Sequence, residues 1–174
     1  MVKNVKSSKA SMRFALALML ASLLYGCEAA SSTALSSQSI VGTWRCGPTT
    51  MRGPGFVIAT TSETTNRADN TYTSLTTSLL TPDGKAPITL KDRSIGAWKL
   101  DGDIITVNVQ RVEFLSSSDP SISRGLGQQM QDAQLKKKST YQSRILQFTG
   151  NASRSIPVNS MYKEAVVESS CERT

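Results

Sequence analysis

From Ile40 onward the chain is a succession of short stretches rich in Thr, Val, Ile and Ser, broken at close intervals by Gly, Pro and Asp. β-branched side chains suit a pleated surface and the breakers supply turn geometries, so the pattern predicts consecutive antiparallel strands. Strands are expected near 40–46, 55–64, 70–80, 86–92, 94–100, 103–115, 140–149 and 161–171. Thr81-Pro82-Asp83-Gly84 marks one turn. Leu100-Asp101-Gly102-Asp103 marks the clearest hairpin, because Asp-Gly readily adopts the positive φ angles of a type I′ turn. In the strand after it, Ile105, Val107 and Val109 alternate with Thr106, Asn108 and Gln110, which sets one face against a core and the other in water.

One helix interrupts the strands. Asp119-Pro120 offers an N-cap followed by proline at the first helical position. Ile122, Leu126, Met130 and Ala133 then follow at helical spacing, so a helix is expected at about 121–138 with that stripe facing the core. Gly125 and Gly127 weaken its first turns. A helix across the barrel mouth or against its wall would account for a gap too long for an ordinary strand connection.

Charge narrows the choice of partner. The formal net charge is +7, but Lys3, Lys6, Lys9 and Arg13 hold four of the 20 basic residues before Cys27, where no acidic residue occurs. The other 16 face 13 acidic residues, an ordinary surface for a single globular domain. The remaining basic cluster, Lys136-Lys137-Lys138, suits a helix C-terminus and has no interleaved aromatics for stacking bases. Nucleic acid is therefore not expected as a partner.

Before Ile40 the pattern is that of an exported chain. A basic head precedes Phe14–Tyr25, an uncharged apolar run of about twelve residues, whereas a membrane span needs about 20. The run ends at Leu24-Tyr25-Gly26-Cys27, which resembles the bacterial lipobox. The resemblance implies a signal peptide over 1–26, lipidation of Cys27 through its sulfur, and a flexible lipid-anchored tether over 27–39 with a reach of about 20 Å. It also implies the periplasmic face of the outer membrane, since Glu28 stands where an inner-membrane retention signal would carry Asp. Ordinary cleavage near Ala29 or Ala30 is the alternative and would give a soluble periplasmic protein. With Cys27 assigned to lipid, Cys46 and Cys171 remain as a disulfide pair in a compartment where disulfides persist.

Gly42-Thr43-Trp44, echoed by Gly96-Ala97-Trp98, resembles the small lipocalin-like domains of bacterial envelope lipoproteins. The resemblance implies a mainly β fold over 40–174, a small antiparallel β-barrel of about eight strands. In a closed up-and-down barrel the first and last strands are neighbours. If Cys46 lies opposite Cys171, then Trp44 lies opposite Arg173 on one face, a cation–π pair, and Arg45 opposite Glu172 on the other, an ion pair. Lipocalins place an arginine over the same tryptophan.

There is no histidine, which excludes Ser-His-Asp and Cys-His catalysis and His-ligated metals. No phosphate loop or paired-carboxylate site is present, so neither an enzyme nor a cofactor or metal is expected. Arg111 and Glu113 continue the Ile105-Val107-Val109 face and are ligand-facing candidates, unless a bulge near Gln110 swaps the faces and turns Val112 and Phe114 inward. The expected function is non-enzymatic binding of a small amphiphile or a protein partner by a membrane-anchored monomer. An envelope inhibitor or assembly accessory is the alternative, with Gly47–Pro54 as its candidate protruding loop.

Overall fold

The computed structural model describes residues 34–158 and 167–174. The fold is mainly β: a closed antiparallel barrel in which each strand pairs with the next and the last returns to the first. The strands are β1 Gly42–Gly53, β2 Phe56–Asn66, β3 Thr71–Pro82, β4 Ile88–Asp101, β5 Ile104–Ser117, β6 Thr140–Phe148, β7 Ala152–Pro157 and β8 Ser169–Arg173. Two helices accompany them, α1 Ser37–Ile40 and α2 Arg124–Lys137.

The strand count agrees with expectation while several boundaries do not. The stretches 86–92 and 94–100 form one strand, β4, because the irregularities lie opposite it in β5, where Gln110 and Leu115 are the extra residues. Gly47–Pro54 is no free loop. A bulge at residues 47 and 48 is absorbed within β1, which runs on to Gly53. β7 lacks the apolar alternation that marks a strand in sequence, and it pairs with both β6 and β8. Of the strand expected at 161–171, residues 161–166 lie outside the described residues, and β8 begins at Ser169.

Residues expected to end the tether instead begin the fold. Ser36 caps α1 in a capping box with Ser39, and Ile40 is buried against Tyr72 and Trp98. α2 likewise starts later than Asp119, with Ser123 accepting from the Leu126 amide. Asp119 instead accepts from the Ser121 amide and hydroxyl, closing a local turn.

The face of α2 is also rotated from expectation. Leu126 and Met130 are exposed, and Gly127 is the buried position. A Cβ on Gly127 would lie 2.4 Å from the Phe114 ring, so glycine there sets how closely α2 approaches β5. Gln128 completes the contact: its Oε1 accepts from the Phe114 amide at 2.9 Å and its Nε2 donates to the Val112 carbonyl at 2.8 Å. β6 pairs β5 only over residues 104–108, so these are β5 backbone groups beyond the reach of β6. A glutamine satisfying an unpaired strand edge therefore outweighs an apolar stripe in orienting the helix.

Candidate functional site

Register sorts every inward-facing side chain into rows across β1 to β5. At one end the row Gly42–Asn66–Tyr72–Gly96–Val109 lies beside Trp98, and with Ile40 these residues form the packed base. Trp44, Tyr72 and Trp98 are 4%, 4% and 2% exposed. Trp44 Nε1 donates to the Ile40 carbonyl, and Trp98 Nε1 to the carbonyls of Thr71 and Arg67. Both Gly-x-Trp motifs owe their glycine to crowding. Gly42 has φ of 133° and leaves no room for a Cβ beside Arg173, while a Cβ on Gly96 would lie 2.0 Å from the Asn108 carbonyl oxygen.

The next two inward rows carry hydroxyls: Thr64–Ser74–Ser94, then Ser62–Thr76–Asp92 ending on Phe114. Thr64 and Ser74 bond each other at 2.8 Å. A further row, Thr49–Thr60–Ser78–Leu90, leads to Met51–Ile58–Leu80–Ile88, which is wholly apolar. Every residue of these last two rows is partly accessible to solvent, unlike the base. Among the described residues the barrel is thus shut at its aromatic end and partly accessible above, with polar groups deep and apolar groups at the rim. A cavity of about 130 Å³ lies at the lower level, walled by Trp44, Thr64, Asn66, Val107, Ile145 and the disulfide.

Asp92 is the charged residue on this inner face of β4. It is partly buried, and neither a hydrogen bond nor an ion pair joins it to another described residue. Burial without compensation pushes its carboxyl up to about 6. Nearby, the buried Tyr72 hydroxyl lacks a hydrogen-bond partner at good geometry, with Ser94 the neighbouring hydroxyl. Burial holds that phenol above its ordinary value. Nothing in the sequence singles out Asp92, because an acid at an inward position of the stretch 86–92 breaks the apolar alternation that would mark the inner face.

Arg111 and Glu113 do not face this interior. Gln110 is the extra residue of a bulge, so Val112 and Phe114 turn inward and the two charged residues turn out. Glu113 bridges Arg93 at 3.3 Å and Arg124 at 3.2 Å on the outer wall, and Arg111 is exposed.

At the seam, β1 and β8 pair Trp44 with Arg173, Arg45 with Glu172, and Cys46 with Cys171. The cysteines are bonded, closing a separation of 125 residues. Such a bond is compatible with an oxidising, extracytoplasmic compartment. Arg173 stacks over Trp44, its Cζ 4.5 Å from the ring centroid. Arg45 does not form its ion pair with Glu172. It reaches Glu63 on β2, its other direct neighbour, at 3.5 Å. Cys27 lies outside the described residues.

Among the described residues no three acidic or cysteine side chains converge on a metal site, and no helix is long and apolar enough to cross a membrane. No protein-family model and no curated protein matches the chain.

Proposed function

We propose that this protein is a non-enzymatic, lipocalin-like envelope lipoprotein that holds a small amphiphile in the open half of its barrel. The observation carrying this reading is the graded interior, with accessible apolar residues at the rim, hydroxyls below them and an aromatic floor. A barrel serving only as a scaffold would fill its interior with close-packed side chains. Sites for small amphiphiles are concave and mostly apolar, with a few placed polar groups.

The lipobox-like Leu24-Tyr25-Gly26-Cys27 supports acylation of Cys27, and with it a monomer anchored at the periplasmic face of the outer membrane. The disulfide agrees with export. Intact-mass spectrometry of protein extracted from membranes tests both parts: the expected species carries acyl chains on Cys27 and one disulfide, and native spectra retain a bound lipid-like molecule. Unacylated soluble protein would overturn the anchor, and a ligand-free barrel that also refuses apolar dyes would overturn the binding role.

A second reading, docking of an envelope protein, draws on the outer wall. There Leu75, Leu79 and Ile95 are 42%, 43% and 38% exposed, near Lys91, Arg93 and Arg111. Cross-linking that maps to these residues would favour it.

A further inference from the structure

We propose that Asp92, with the hydroxyls of Ser94 and Tyr72, forms the head-group subsite of the barrel, and that its ligand is a cationic, N–H-donating amphiphile. This rests on the ligand-binding reading above and names the chemistry of that ligand.

The placement is set by register. β3 and β4 pair without irregularity from Leu80↔Ile88 to Thr71↔Ala97, so Asp92 shares the inner face of Trp98 and Gly96. Its cross-strand neighbours are Thr76 on β3 and Phe114 on β5, the latter only 3% exposed. Ser94 is the next inward position on the same strand, about 7 Å along it. Tyr72, 4% exposed, lies opposite Gly96, one inward position further, and its hydroxyl neighbours Ser94. One strand face thus presents a carboxylate and a hydroxyl, joined by a phenol.

A buried carboxylate is usually paired with a cation or fully hydrogen-bonded, because desolvating it alone is costly. The structure could have compensated Asp92, since Arg93 is adjacent and Arg111 and Arg124 are near, but all three are directed to the outer wall. On the other packed elements, Glu113 faces outward and Asp132 of α2 accepts from Gln128 Nε2. Inside, the neighbours are hydroxyls and apolar groups. A ligand bearing an ammonium would supply the missing charge and the missing N–H donors together. Its tail would run toward Leu90, Ile88, Leu80 and Ile58 at the rim, whose partial exposure leaves apolar surface to be covered.

The test compares three probes on the intact folded protein below their micellar concentrations: dodecylammonium, dodecan-1-ol and dodecanoate, measured by titration calorimetry. At pH 7.5 dodecylammonium is expected to bind at least tenfold more tightly than dodecanol, with dodecanoate weakest. The preference for dodecylammonium should collapse below pH 5. Asp92→Asn should bring dodecylammonium and dodecanol to equal affinity. Equal binding of both probes to the wild-type protein, or a preference that ignores pH, overturns the head-group assignment and leaves the barrel reading standing. Binding of none of the three overturns both. The pH series on the wild-type protein decides the matter even if the variant folds poorly.

Discussion

The Arg173 guanidinium lies over the Trp44 indole, 4.5 Å from the ring centroid, and from there donates hydrogen bonds to the carbonyls of Ser39, Val41 and Gly150. One side chain therefore ties α1, the start of β1 and the β6–β7 turn to the last strand. Arg173→Met keeps the apolar contact but leaves three carbonyls without their donor, at an expected cost of about 3 kcal/mol. Arg173→Lys keeps the charge without the fork and should recover less than half of that loss. Urea denaturation of the three proteins checks the order; equal stability of wild type and Arg173→Met would show the stack to be incidental.

The disulfide acts on the same seam. Joining residues 125 apart should restrict the unfolded chain by about 4–5 kcal/mol in the loop-entropy model. The Cys46→Ser, Cys171→Ser double variant is expected to lose most of that stability while keeping native β-sheet circular dichroism at low temperature. Reduction of the wild-type protein should lower its urea midpoint by a similar amount. A midpoint unmoved by either treatment would mean that the unfolded chain is already compact.

How much of this was legible in the sequence depended on how local each signal was. Asp101-Gly102 announced its hairpin because the turn chemistry is local, but Asp101 pairs with Ile104 and the two-residue loop is Gly102-Asp103. Of these only Gly102 has positive φ, so the turn is of the type II′ kind rather than the expected type I′. The cysteines fixed the closing register because a covalent link leaves one alignment of two strands. Arg45 shows the limit of that logic: it has two direct cross-strand neighbours, Glu63 and Glu172, and only packing decides which it meets. Asp92 was illegible for a different reason. A strand lining a polar interior loses the apolar alternation by which its inner face is recognised, so the stretches 86–92 and 94–100 read as strands while the residues that make the candidate site hide which side faces inward. The helix misled because its apolar stripe was visible, whereas the unpaired β5 edge that Gln128 satisfies exists only in three dimensions.

Two glycines near the start of α2 should respond oppositely to the same change. A Cβ on Gly125 meets nothing within 4 Å, so Gly125→Ala is expected to stabilise by about 0.5 kcal/mol through helix propensity. A Cβ on Gly127 meets the Phe114 ring at 2.4 Å, so Gly127→Ala must push α2 off β5 and is expected to destabilise by about 1–3 kcal/mol. Thermal unfolding of both variants measures the pair. A destabilised Gly125→Ala would mean that the first turn of α2 is not helical in solution.

Asp92 makes the protein's stability depend on pH in a direction opposite to that of most carboxylates. Its carboxyl rises from an ordinary 3.8 to about 6 in the folded barrel because burial disfavours the charge. Between those two values the folded state holds a proton that the unfolded chain has released, so stability falls as pH rises through that window. The penalty is complete above about pH 6 and absent below about pH 4. A shift of this size corresponds to about 3 kcal/mol in a dry site and, with water reaching Asp92 in part, to on the order of 1–2 kcal/mol. Asp69, Asp119 and Glu168 have lowered values and act in the opposite sense, so the wild-type curve alone mixes both effects. Subtracting it from that of Asp92→Asn cancels their contribution. The variant should be more stable than wild type by about 1–2 kcal/mol at pH 7.5, with the difference shrinking to nearly nothing at pH 4. A difference that stays constant across that range would mean that Asp92 is solvated like any surface carboxylate. Dodecylammonium at saturating concentration should erase the difference at pH 7.5, because a bound cation gives the wild-type carboxylate the partner that the variant does not need.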